Sequence, residues 1–125
     1  MNTDDLGLGR ISERIIGCAF AVANTLGAGF VEKVYENALA YELRRSGIAV
    51  EQQVAVVVRY AGVVVGEFQA DLLVAGSVIV ELKAVRGFDD VHFAQCLNYL
   101  KATGLRVCLL INFGKPRIEV RRFVV

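Results

Sequence analysis

An excess of charge of either sign is missing from this sequence. Fourteen Lys and Arg residues stand against thirteen Asp and Glu, a formal net charge of +1. The chain therefore has no global basic field of the kind many nucleic-acid binders carry. Any phosphate-binding surface must be local, with Arg44, Arg45, Arg86, Arg106, Lys115, Arg117, Arg121 and Arg122 as candidates. Cysteine is sparse as well. Cys18, Cys96 and Cys108 are far apart, odd in number and form no CxxC pair. They read as reduced core thiols of a cytoplasmic protein, and an iron–sulfur cluster would need more thiolates. A lone histidine, His92, leaves no second imidazole for a zinc site and no Ser-His-Asp spacing to argue from. It reads as a surface or substrate-adjacent residue. No phosphate-loop or dinucleotide-type glycine pattern follows a strand, which disfavours nucleotide cofactors.

Long apolar runs are also absent. IIGCAFAVA, Ile15 to Ala23, resembles the core of a signal peptide but is too short to span a bilayer. Asp4, Asp5 and Glu13 precede it, where a signal peptide wants positive charge. Ile11, Ile15, Ala19, Val22 and Leu26 instead fall on one helical stripe, so the run is expected to be a core helix and no membrane association is expected. There is no repeat or low-complexity linker, and the single proline, Pro116, lies in the loop signal GKP.

What the chain has in quantity is apolar residues, 55% of its 125. That length suits one domain over residues 1–125. A chain of this size can bury roughly two-thirds of its surface, so it should fold without staples. The apolar excess implies either a sheet covered on both faces or a surface buried by another copy of the chain, and a homo-oligomer is expected.

The pattern predicts helices over about Arg10 to Leu26 and Val31 to Ser46, the second with Val34, Ala38 and Tyr41 among its inward positions and Gly47 closing it. Val54, Val56 and Val58 alternate with Gln53 and Ala55 as in a strand, Ala61-Gly62 turns the chain, and Val63 returns to about Val74. After Ala75-Gly76-Ser77, the stretch Val78 to Ala84 reads as a central strand covered on both faces. Asp89 or Asp90 caps a crossover helix with Phe93, Leu97 and Leu100 on its apolar face. Leu105 to Phe113 is a second buried strand, and Ile118 to Val125 an outer one. The order α-α-β-β-β-α-β-β implies an α/β arrangement of the mixed α+β kind, a central mixed sheet flanked by helices.

Three residues do not belong in that apolar frame. ADLLVAGSVIVELKA carries Asp71, Glu81 and Lys83. Side chains alternate along a strand, so Glu81 and Lys83 share a face, and a short turn can bring Asp71 beside them. Burying three ions costs several kcal/mol each before pairing. A lysine–carboxylate pair leaves one carboxylate over, a divalent cation would satisfy both, and strand ends open to solvent would need neither. Gln95 and Tyr99 lie four apart on one face of the crossover helix, and Glu32 and Tyr35 follow the glycines that open the second helix. A carboxylate in a first helical turn also answers the helix dipole by itself.

Asp71 followed by Glu81-Leu82-Lys83 resembles the D…(D/E)xK signature of the PD-(D/E)XK nuclease superfamily, with Ala70 where that signature often has proline. Gln95 to Tyr99 is similar to the QxxxY element of its exonuclease-like branch. Gly29 to Tyr35, GFVEKVY, matches the motif that names the GxxExxY proteins, and LGAGFVEKVYENAL, ADLLV, VIVELKAV and LLINFGKPRI extend the resemblance from about Ile11 onward. The resemblance implies a restriction-endonuclease-like core and a hydrolase that cuts nucleic-acid phosphodiester bonds. It implies Mg²⁺ or Mn²⁺ on Asp71 and Glu81, with the Leu82 carbonyl as a further ligand and Glu32 holding the metal or its waters. Lys83 would position water or stabilise phosphoryl charge, Gln95 and Tyr99 would orient substrate, and the partner would be nucleic acid, DNA ahead of RNA. The alternative is a noncatalytic homo-oligomeric assembly, or a nucleic-acid-binding protein, that keeps the fold.

Overall fold

The computed structural model describes residues 7–125, so Asp4 and Asp5 lie outside the described residues. In chain order the elements are α1 (Leu8–Leu26), α2 (Glu32–Arg45), β1 (Val50–Tyr60), β2 (Val63–Val74), β3 (Val78–Lys83), α3 (Asp90–Thr103), β4 (Val107–Asn112) and β5 (Glu119–Val124). The five strands form one mixed sheet in the order β1-β2-β3-β4-β5. Only β3 and β4 run parallel, joined through α3, and the other neighbours are antiparallel hairpins. Ala61-Gly62 and Ala75-Gly76 turn the first two hairpins with positive φ at both residues, which matches the right-handed twist of the strands they join.

The sheet is covered on both faces, which is why β3 and β4 are apolar at almost every position. Val78, Val80 and Leu82 of β3 and Val107, Leu109 and Ile111 of β4 pack with α1 and α2 around Ile15, Ala19, Leu39 and Leu43. Their neighbours Ile79, Cys108 and Leu110 face the other way, onto Cys96, Tyr99 and Leu100 of α3. The apolar run Ile15 to Ala23 lies inside α1, and no helix among the described residues is long and apolar enough to cross a membrane.

Two helix faces differ from the predicted ones. The buried stripe of α2 is Tyr35, Leu39, Ala40 and Leu43, whereas Tyr41 is 65% exposed with the Arg45 guanidinium over its ring. The stripe one residue along holds the bulkier apolar groups, and these take the core. On α3, Leu97 is exposed and Cys96 takes the inward position with Leu100 and the half-buried Phe93, because the small thiol fits against Cys108 of β4.

Candidate active site

β2 and β3 pair at only three positions, Val74 with Val78, Leu73 with Ile79 and Leu72 with Val80. At the next position the ladder opens into a fork, and side chains replace it. The Asp71 N–H donates to Glu81 Oε1 at 2.9 Å, and the Leu82 N–H donates to Asp71 Oδ2 at 2.8 Å. Each carboxylate thus satisfies a backbone donor that the parting strands would leave unpaired. Carboxylates belong in this apolar stretch because the fork presents amide donors to them.

The fork continues into β1. Gln53 lies across from Asp71, between the pairs Gln52–Leu72 and Val54–Ala70, and has φ +55°. That left-handed backbone is uncommon for a residue with a side chain. It marks a break in the pleat: Leu72 and Val74 face the α1–α2 core, yet Ala70, two residues before Leu72, faces α3. Gln53 Nε2 donates to Glu36 Oε1 at 2.6 Å and lies 3.4 Å from Asp71 Oδ1. Glu36 is buried on α2 and also accepts from Gln52 at 2.7 Å and from Lys33 at 3.0 Å. Sequence reasoning missed Glu36 and Gln53. The one available signal was the double glutamine that interrupts the alternation of β1.

The electrostatics follow from burial. Glu81 is 3% exposed, and desolvation, reinforced by the charge of Asp71, pushes its pKa up to about 8. Desolvation also raises Asp71, against the opposing hydrogen bond from the Leu82 amide. Lys83 is half-buried and forms no ion pair among the described residues, although its charge reaches Asp71, Glu81 and Glu32. An internal salt bridge is therefore not what balances the carboxylates.

Glu32 opens α2 at the rim of the site. Its residue surface is exposed, but partial desolvation of its carboxyl raises its pKa, with Lys83 and His92 opposing the rise and Asp71 adding to it. Tyr35, in the same motif, has a structural role. Its hydroxyl donates to the Gly27 carbonyl and accepts from the Phe30 N–H, and its ring stacks on Phe113 at 4.7 Å. It thereby sets the loop that delivers Glu32. On α3, Gln95 Nε2 donates to the Tyr99 hydroxyl at 3.0 Å. Burial and the charge of Glu81 raise the pKa of Tyr99, so the phenol keeps its proton. His92 closes the capping box of α3, its Nδ1 accepting the Asp89 N–H at 3.0 Å.

Behind Lys83 stands Asn112, fully buried and also missed in the sequence. It accepts from the N–H groups of Val85 and Gly114 and donates to the Val85 carbonyl and Glu119, fixing the chain just beyond Lys83. A Cβ on Gly114 would meet the Val85 backbone at 2.4 Å, so only glycine permits this approach.

The donor set suits a hard divalent cation. Asp71 Oδ1 makes only the long contact with Gln53, and Glu81 Oε2 has no hydrogen-bond partner among the described residues. Two desolvated carboxylates, each with one oxygen to spare, are ligands that Mg²⁺ or Mn²⁺ would take. Among the described residues, however, no three His, Cys, Asp or Glu side chains form one metal-holding group. Glu32 does not complete a preformed cage with Asp71 and Glu81.

The fold is similar to that of known structures. The crystal structure of SSO0001 superposes with a TM-score of 0.57 at 18% identity, covering 74% of this chain and 50% of that one. An alkaline exonuclease from Laribacter hongkongensis gives a TM-score of 0.48 at 16% identity, covering 74% of this chain and 55% of that one. The chain thus spans about half the length of each. No curated protein matches it. The sequence profile of the PD-(D/E)XK nuclease superfamily matches residues 9–123, nearly the whole described chain. The mixed sheet flanked by helices and the D…ExK residues at its fork agree with that match, and the chain belongs to the PD-(D/E)XK nuclease superfamily.

Proposed function

We propose that this chain hydrolyses phosphodiester bonds in nucleic acid with Mg²⁺ or Mn²⁺ held by Asp71, Glu81 and the Leu82 carbonyl. The observation that supports it most is the interlock of Asp71 and Glu81 at the fork, with Lys83 two residues beyond Glu81 and in no ion pair among the described residues. When bound, the cation would supply a Lewis acid and an activated water. Glu32, at the rim, reaches the site through water. Lys83 places an ammonium where negative charge builds on the phosphoryl oxygens. Tyr99, kept protonated, donates a hydrogen bond, and Gln95 holds it in position. Within the superfamily the chain reads as a GxxExxY protein, because Tyr35 ties the loop that presents Glu32. Free thiols at Cys18, Cys96 and Cys108 support a reducing compartment, so we read the protein as cytoplasmic, and its single continuous sheet supports one domain over residues 1–125.

The test compares purified parent and Lys83→Ala on single- and double-stranded DNA and RNA with each metal. Loss of Lys83 is expected to lower the rate about 10²–10³-fold, by comparison with loss of one oxyanion donor. Equal rates in both, or no cleavage by the parent at millimolar metal, would overturn the reading. Calorimetry adds a metal arm, in which saturable Mg²⁺ or Mn²⁺ binding by the parent is lost in Glu81→Ala. A second reading, a noncatalytic homo-oligomer, is favoured by one observation: Tyr60, Val63, Val64 and Val65 at the outer end of the β1–β2 hairpin are exposed.

A further inference from the structure

Between α3 and the β1–β2 hairpin lie two hollows that meet. The first, about 410 Å³, begins at Lys83 and is walled by Val58, Phe68 and Tyr99 with His92, Gln95 and Asn98 at its polar edge. The second, about 810 Å³, shares Val58, Phe68 and Asn98 with the first and runs on to Arg59, Lys101 and Thr103. Together they make one groove leading away from the carboxylates. Its α3 wall, from Val91 to Thr103, climbs about 18 Å at ~1.5 Å per residue.

The chemistry along this groove alternates. Lys83 stands at the catalytic end, and Arg59 and Lys101 at the far end. None of the three forms an ion pair among the described residues. Between them Phe68 is 52% exposed and lines both hollows, its ring 6.2 Å from that of Tyr99 and tilted by 43°. Asn98 and Gln95 place amide groups beside it. The ligand that matches is anionic at both ends, flat and apolar in the middle, and edged with donors and acceptors. That describes a short run of nucleotides, with phosphates on the cations, a base on the ring and the base edge on an amide.

A base within a duplex cannot present its face, since its neighbours in the stack cover it. A platform like Phe68 is therefore available only to an unpaired base. We infer that the groove binds an unpaired strand, stacking one base on Phe68 and reading its edge with Asn98, so that the strand reaches Lys83 and the carboxylates single-stranded. The inference rests on the nuclease reading for its direction toward the site. It adds to that reading the substrate class: single strands, overhangs or frayed ends rather than intact duplex.

The test uses binding without cleavage. Octanucleotides of DNA and of RNA carrying one 2-aminopurine are titrated with the full chain in EDTA, and fluorescence quenching reports stacking. The parent is expected to quench the probe on at least one of the two strands and to hold it against competing blunt duplex. Phe68→Ala should weaken binding about tenfold or more and abolish the quench, and Phe68→Trp should restore both. Asn98→Ala, an exposed position that leaves the fold intact, should change the order of preference among the four bases. Unchanged affinity and quenching in Phe68→Ala, or duplex bound as tightly as single strand, overturns the inference. The two readings separate cleanly. Phe68-dependent binding without any metal-dependent cleavage supports the groove and removes the nuclease, whereas cleavage by the parent that is indifferent to Phe68→Ala does the reverse.

Discussion

β3 and the outer half of the β1–β2 hairpin are both rich in valine, yet they end in opposite environments. Val78 to Leu82 of β3 are buried at every position, while Val63, Val64 and Val65 of β2 are half to two-thirds exposed. The fork makes the difference. Before it, β2 is clasped between β1 and β3. Beyond Asp71, β3 turns away and β2 keeps only β1 as a partner, so the hairpin extends as an arm. Apolar sequence therefore sets strand formation, and the position of two carboxylates sets which strand is core and which is arm. The same divergence opens the space that the candidate site occupies.

The comparison breaks most severely at the centre. Leu109 on β4 is wholly buried against α1 and α2. Leu109→Ala is expected to cost about 2–5 kcal/mol, from lost transfer energy plus the cavity left behind. Urea unfolding measures it, and a cost near that of an arm substitution would mean that the two regions are equally loose.

The next effect comes from the fork. The pKa of Glu81 rises from its ordinary 4.5 to about 8 in the folded chain. Between those values the native state holds a proton that the unfolded state has released. The associated stability is complete below about 4.5 and is lost as pH rises through about 8, a total on the order of a few kcal/mol. Metal-free protein should therefore unfold at lower urea at pH 8 than at pH 5. Glu81→Gln should flatten most of that slope, and millimolar Mg²⁺ should flatten it in the parent by favouring the ionised pair. The absence of this slope would show that Glu81 is ionised and well solvated in the folded chain.

How much of this was legible follows from cost. Asp71, Glu81 and Lys83 stood out because charges in apolar strands are expensive, and expensive residues are visible without coordinates. The turns at Ala61-Gly62 and Ala75-Gly76 and the Asp89 cap were legible because each rests on local backbone chemistry. Glu36 and Gln53 were not. A glutamate on a helix and a glutamine in an edge strand are ordinary until the fold brings them together at 2.6 Å. The faces of α2 and α3 shifted because neighbouring stripes are separated by one residue, and only the opposing sheet decides between Ala38 and Leu39 or between Leu97 and Cys96. The exposure of the arm was invisible, since the consecutive valines Val63 to Val65 look the same whether or not a third strand covers them.

Glu36 links the two regions, and its removal gives a smaller effect. Glu36→Ala removes the shorter of the two contacts each glutamine amide nitrogen makes, leaving Gln52 with Asn37 and Gln53 with only the long contact to Asp71, and should cost about 1–3 kcal/mol. Because Glu36 also helps raise Asp71, the substitution should lower the Asp71 pKa, readable by carboxyl NMR titration. A stability loss with no movement of Asp71 would confine Glu36 to holding α2 against β1.

The smallest effect belongs to the arm. Val64 is 50% exposed, pairs only with β1 and meets no helix core. Val64→Lys is therefore expected to change folding stability by no more than about 0.5 kcal/mol. Sedimentation of the parent and this variant over a range of concentrations asks a separate question of the same residue. If the arm is buried against a second copy, the parent gains mass with concentration and the lysine variant does not, because an ammonium would have to be desolvated in the interface. If the parent stays monomeric throughout, the assembly reading loses its support. A destabilisation by Val64→Lys approaching that of Leu109→Ala, with the parent monomeric, would contradict the division itself: the arm would then be core, and the fork between Asp71 and Glu81 would not be the boundary between them.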